Sequence, residues 1–257
     1  MKKHQFIILL CWPIIAAILS TLFNAGLYSS LFLFFVVPCL YLSYYNPKLI
    51  KKALVFSLAC SISMAFLFDY VMELTGAWRL GRMEFPQVWF LQYVSLIQIF
   101  WLFFYIYLIV IYYETFFDRS VRKIIYPRTK WLFLLMLSIL AFVVFGHFFF
   151  PDLLYINYFY LKAGIVLILL PLLAFLFKFP TVYRKFFKVG LFFFYFNFIY
   201  EITALGLKQW SFPAENQFIG QVTFYSLSFP VEELFFWIII GSVACLSYYE
   251  FFEDDGK

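Results

Sequence analysis

Charge is scarce in this sequence. Only 13% of its 257 residues are Asp, Glu, Lys or Arg, against 65% hydrophobic residues and a mean hydropathy of +0.91. A soluble domain of this length needs far more polar surface, so a soluble fold is excluded and an integral membrane protein is expected. Histidine is nearly absent: His4 and His147 are too few for a His-based metal centre. The four cysteines, at positions 11, 39, 60 and 245, all lie in apolar runs and none has CxxC spacing. That supports neither a disulfide framework nor a zinc site. No glycine-rich dinucleotide fingerprint occurs, so a tightly bound flavin is not expected, and no cofactor or metal is assigned.

What is abundant is aromatic, with 40 Phe and 20 Tyr. Spanning a hydrocarbon core of ~30 Å takes about 20 apolar residues. Eight runs qualify, at 5–23, 28–46, 53–75, 88–113, 131–150, 158–177, 188–207 and 229–249. The joints carry breakers such as Asn46-Pro47, Pro86, Pro127, Pro180 and Pro213. The last run is placed with Ser228 as N-cap and Pro230 in the first turn. MKKHQ and the run behind it resemble a signal peptide, but no convincing cleavage site follows, so a retained first helix is expected.

The net charge of +5 is a topology signal and not a sign of nucleic acid. Lys2, Lys3, Lys48, Lys51, Lys52, Arg119, Arg122, Lys123, Arg128, Lys130, Lys178, Arg184, Lys185 and Lys188 fall on one side of the eight-span plan. The alternate joints hold only Arg79, Arg82, Lys208 and, at a helix edge, Lys162. The positive-inside rule then places both termini in the cytoplasm of a multi-pass cell-membrane protein, with an acidic tail, Glu250 to Asp255, fraying into the cytosol.

The chain also repeats itself. FWLFFYIYLIVIYYETFFD (100–118) parallels FWIIIGSVACLSYYEFFED (236–254), with FW, YYE and the last Asp matched at an offset of 136. DYVMELTGAW (69–78) parallels EITALGLKQW (201–210). The expected architecture is all-α: two parallel four-helix repeats, residues 1–124 and 125–257, around a pseudo-two-fold axis along the membrane normal. No glycine- or proline-broken helix is expected at matching positions of the two halves, which disfavours an ion-coupled transporter.

Five acids fall within the spans: Asp69, Glu73, Glu201, Glu232 and Glu233. A charge at mid-bilayer costs roughly 2.5–3.5 kcal/mol on insertion scales, so such residues face a protein interior and mark function. Glu232 and Glu233 open the last span in SFPVEELFFW and point about 100° apart. A helix N-terminus favours a carboxylate while hydrocarbon favours the neutral acid. One acid of each kind is what acid–base work requires, although first-turn glutamates also serve as plain helix caps. Asp69 and Glu73 share a helix face. A DxxxE pair can hold a divalent ion, yet the other half offers only Glu201, with Leu205 in place of Glu73, so a structural pair is equally compatible. Trp78 and Trp210 suit a membrane interface or the wall of a cation site. His147 reads as interfacial.

Pro230-Val231-Glu232-Glu233 followed by LFF, together with Asp69, Gly76 and Trp78, resembles the repeating unit of the membrane-embedded lycopene cyclases, the heterodimeric or fused type that also forms the cyclase domain of fungal bifunctional enzymes. Their units carry Pro-x-Glu-Glu opening a helix and Asp-x6-Gly-x-Trp on the helix before it. The sharp motifs cover about forty residues here. Each half departs from the pattern once: Val94-Ser95-Leu96-Ile97 stands opposite PVEE in the first, and Glu201 and Lys208 stand for Asp and Gly in the second. The resemblance implies a cyclase (an isomerase or intramolecular lyase) that closes a ring at the end of a linear carotene without net redox change. It implies Glu232 and Glu233 as catalytic acid and partner, with Asp69 and Glu201 next. Trp78, Trp210, Pro230 and Phe236 would line the site for a bilayer-dissolved isoprenoid. The alternatives are an ion-coupled carrier and a non-catalytic isoprenoid-binding membrane protein. Oligomeric state stays open.

Overall fold

The computed structural model describes residues 2–81, 83–118 and 128–252. Arg82, Arg119, Arg122, Lys123 and the tail beyond Phe252, all named in the charge pattern above, lie outside them, as does the side chain of Lys2. Among the described residues the spans are all helical, with seven helices long and apolar enough to cross a membrane and an eighth bent one. They are α1 (Lys2–Leu22), α2 (Leu27–Tyr45), α3 (Ile50–Leu74), α4 (Leu96–Phe116), α5 (Thr129–Phe149), α6 (Phe159–Lys178), α7 (Tyr183–Gly206) and α8, a bent pair of Glu233–Ile239 and Gly241–Phe252. It is a multi-pass membrane protein.

Several boundaries differ from the sequence expectation. The span placed at 88–113 begins only at Leu96, because residues 88–95 form a hairpin, β2 (Trp89–Phe90) against β3 (Val94–Ser95), after the short β1 (Arg79–Leu80). The other half matches it: β4 (Trp210–Ser211) is followed by β5 (Gln221–Phe224) against β6 (Leu227–Pro230). Ser228 is therefore not an N-cap and Pro230 is not in a helical turn. Both belong to a strand, where Pro230 ends the ladder opposite Gln221. A terminal ladder position suits a residue with no N–H to donate.

Each hairpin feeds its helix by the same bond. Leu96 N–H donates to the Val88 carbonyl (2.9 Å), and Val231 N–H donates to the Gly220 carbonyl (3.0 Å). In the first half Ser95 and Gln98 then form a capping box, satisfying N–H groups that hydrocarbon could not.

Residues matched by the repeat meet in pairs along one line through the bundle. At the hairpin end Arg79 pairs with Ser211, and Leu80 with Trp210, in an antiparallel ladder. Below them the rings of Trp78 and Trp210 lie 6.4 Å apart. Deeper, Trp101 meets Trp237 at 4.5 Å. At the lysine-rich end the YYE motifs exchange bonds: Tyr113 donates to Glu250, and Tyr249 donates to Glu114. Lys52 lies over the Tyr249 ring and Lys185 over the Tyr113 ring. Reciprocal contacts of this kind are what a two-fold relation generates.

Two expectations need correcting at that end. Lys52 is not a loop charge: it is buried in an ion pair with Glu114 at 2.5 Å. Glu250 is not part of a frayed tail: it is buried on α8 and holds the Tyr113 hydroxyl.

The matching extends to helix irregularities. α2 has a π segment at Phe32–Val36 followed by Pro38; α6 has one at Gly164–Leu169 followed by Pro171. Prolines lack an N–H and crowd the preceding turn, and a wider turn relieves both. Both spans nevertheless run unbroken, Leu27–Tyr45 and Phe159–Lys178, so these are matched wide turns and not helix breaks.

The ends of α3 and α7 are also alike. Ala77 N–H donates back to the Met72 carbonyl and Gln209 N–H to the Ala204 carbonyl, both at 2.9 Å. These are the six-to-one bonds of a Schellman cap, whose turning residue needs positive φ. Gly76 supplies it at φ +69° and Lys208 at φ +57°. The left-handed region costs a non-glycine residue about 1–2 kcal/mol. Lys208 is exposed and sits on this turn, so Lys208→Gly is expected to raise thermal stability in detergent by about 1 kcal/mol. Gly76→Ala is expected to lower it by a similar amount, with both read from melting curves.

Candidate functional site

An apolar cavity of about 220 Å³ lies between α3, α4, α6 and α8. Phe56, Cys60, Met64, Phe68 and Met72 recur every four residues along α3 and line it. Sixteen residues of helix advance roughly 24 Å, so the space is a long narrow channel rather than a bowl. Its polar groups collect at the hairpin end. Asp69 on α3, Glu233 on α8, Tyr160 on α6 and Gln98 on α4 all line it, beneath Trp78 and Trp210.

Glu233 is buried, and its Oε2 accepts a hydrogen bond from the Tyr160 hydroxyl at 2.7 Å. Asp69 is buried too and lines the same cavity. Walls of Trp, Phe and Tyr surround it. Trp101 stacks on Tyr105 at 6.2 Å, and Trp237 lies 4.0 Å from the same ring.

The local folding of α8 explains why Glu233 faces inward. Glu233–Ile239 is wound as a π segment, and α8 bends by 51° at the break before Gly241. A Cβ on Gly241 would stand 2.9 Å from the Phe236 carbonyl oxygen, so the bend requires glycine. The bend frees the Trp237 carbonyl, which accepts from Asn197 Nδ2 at 3.4 Å; the same amide donates to the Tyr105 hydroxyl at 3.0 Å. A neighbouring polar side chain satisfying a freed backbone group is how lipid-embedded helices tolerate such breaks. Gly241→Ala is expected to cost about 1–3 kcal/mol by forcing the bend to shift, visible as a lower melting temperature together with lost ligand binding.

The structure separates residues that the sequence placed side by side. Glu233 lines the channel; Glu232 does not. Glu232 faces the loop, where its Oε1 accepts from the Ile219 N–H at 2.8 Å. It is a latch between hairpin and helix, outside the channel wall where the sequence expectation placed it beside Glu233. Pro230, expected in the wall, lies in β6 and is not part of the lining. Asp69, Trp78, Trp210 and Phe236 do line the channel. Glu201 stands behind Trp210, whose Nε1 donates to Glu201 Oε1 at 3.0 Å, so Glu201 reaches the channel only through that indole. Asp69 and Glu73 lie four residues apart on α3, but only Asp69 lines the channel; Glu73 is half-buried and outside the lining. Among the described residues no group of three or more His, Cys, Asp and Glu could hold a metal ion. His147 bonds the buried Tyr70 through Nδ1 at 2.7 Å.

Tyr160, Gln98, Trp101 and Trp237 were not expected in the site. Both tryptophans belong to the FW pairs of the repeat, which could have marked them. Nothing singles Tyr160 out among 20 tyrosines.

Compared with family models, curated proteins and solved structures, the chain matches none.

Proposed function

We propose that the protein is a cyclase acting on a linear carotene-type isoprenoid dissolved in the bilayer. The observation that supports this most is a buried pair, Glu233 and Asp69, at one end of a long aromatic-walled channel. Ring closure at a ψ-end begins when a carboxylic acid protonates the terminal double bond. The cation is attacked by the neighbouring double bond, a carbon–carbon bond forms, and a ring proton leaves to a carboxylate. One proton is given and one taken, and no electrons are gained or lost. Glu233, oriented by Tyr160, suits the donor, and Asp69 suits the stabilising or accepting carboxylate. Tryptophan and tyrosine faces stabilise the cation, and an apolar wall keeps out the water that would quench it. The positive-inside distribution supports a cell-membrane location with both termini cytoplasmic, which puts the acidic end of the channel in the outer half of the bilayer.

The test is pigment analysis of lycopene-accumulating bacteria expressing the chain. Ring-bearing carotenes are expected. Unchanged lycopene beside folded, membrane-inserted protein would overturn the proposal. A carrier reading has one observation in its favour, the matched π segments of α2 and α6, and uptake of labelled solute into proteoliposomes is its test.

A further inference from the structure

The repeat implies a second channel related to the first by the pseudo-two-fold, and the structure shows what fills that place. Helix α7 stands where α3 stands around the open channel, α2 stands for α6 and α4 for α8. The matched positions then fall on Glu201 for Asp69, Ile97 for Glu233, Tyr200 for Phe68, Phe196 for Met64, and Phe34 and Phe35 for Leu167 and Ile168. At this second place the rings pack on one another. Phe35 lies 4.8 Å from Tyr200 and 5.3 Å from Phe196, and Phe34 lies 4.9 Å from Tyr200. All four rings are at most 1% exposed. Met64, Leu167 and Ile168 at the open channel are thus replaced by phenylalanines and Phe68 by Tyr200, and the acid facing the channel by an isoleucine.

This also accounts for the incomplete motif set of each half. The open channel takes its Asp69 and Asp-x6-Gly-x-Trp segment from the first half and its Pro-x-Glu-Glu from the second. Ile97, which stands for Glu233, lines the open channel without an acid, and Glu201, which stands for Asp69, is held by Trp210 Nε1.

We infer that the protein has a single channel that holds one linear isoprenoid chain by one end, and that Phe34, Phe35, Phe196 and Tyr200 plug its symmetry mate. The inference rests on the cyclase reading for the identity of the ligand, but not on catalysis. A chain seated with one end at Glu233 has its other end directed toward Tyr248, where the lining carries no acid. Two-ring products therefore require release and re-entry by the opposite end.

The test counts carotene retained by protein purified from lycopene-accumulating cells and follows products in lycopene-loaded proteoliposomes. The wild-type chain is expected to retain about one carotene, as pockets of this kind are few per protein, and one-ring carotene is expected to accumulate free before any two-ring product. Leu167→Phe with Ile168→Phe copies the plug into the open channel and is expected to abolish retention while the melting temperature holds. Phe35→Ala with Phe196→Ala is expected to admit a second carotene. Two carotenes per wild-type chain, no retention at all, or retention indifferent to the Leu167 and Ile168 changes would overturn the inference. One retained carotene without any ring product would leave the single channel standing and overturn the cyclase reading alone.

Discussion

Glu233→Gln is expected to cut ring formation from lycopene by about 100- to 10,000-fold, the range over which a positioned acid or base contributes. Gln has the same shape and keeps an acceptor for the Tyr160 hydroxyl, so the fold and carotene retention are expected to survive. Glu232→Gln is the informative partner. Its amide oxygen still accepts from Ile219, so activity is expected to stay within a few-fold of the unaltered protein. Pigment ratios in cells carrying each variant at equal membrane content check both. Equal loss from the two substitutions would contradict the geometry, because only Glu233 reaches the channel.

The largest effect on stability is expected at the other end of the bundle. Lys52 and Glu114 are paired at 2.5 Å with side-chain exposures of 8% and 3%, and Tyr249 adds a hydrogen bond to the same Glu114 oxygen. Removing one partner of a buried ion pair costs about 3–5 kcal/mol. Glu114→Ala should therefore lower the melting temperature sharply. Lys52→Met with Glu114→Leu removes both charges and fills the volume, so it is expected to recover most of the loss. The double-mutant cycle separates the pair from packing. A Glu114→Ala variant as stable as the parent would show the pair to be water-exposed.

The spans were legible because each is a run of about 20 apolar residues, a length that only a bilayer demands. Their ends were less so. The hairpins at 88–95 and 221–230 are built from Val, Trp, Phe and Leu, and hydropathy reads such strands as more helix. The π segment at Phe32–Val36 leaves no mark except Pro38 downstream. Lys52 looked like a loop lysine because burial depends on Glu114, 62 residues away. At the site, Asp69 and Glu233 were legible since charge is so costly in lipid. Glu232 carries the same cost and the same motif, and only the strand before α8 decides which glutamate turns inward. Tyr160 was invisible because its role exists only opposite Glu233.

The halves are stitched at both membrane faces. A backbone ladder joins Arg79–Leu80 to Trp210–Ser211, and crossed tyrosine–glutamate bonds join Tyr113 to Glu250 and Tyr249 to Glu114. Between the seams the halves meet mainly through rings, such as Trp101 on Trp237 and Phe35 on Phe196, with the Asn197–Tyr105 hydrogen bond among them. A pump that opens one face and then the other would have to tear a seam on every stroke. A barrel-like waist that bulges between fixed rims, admitting an oily guest sideways, tears neither.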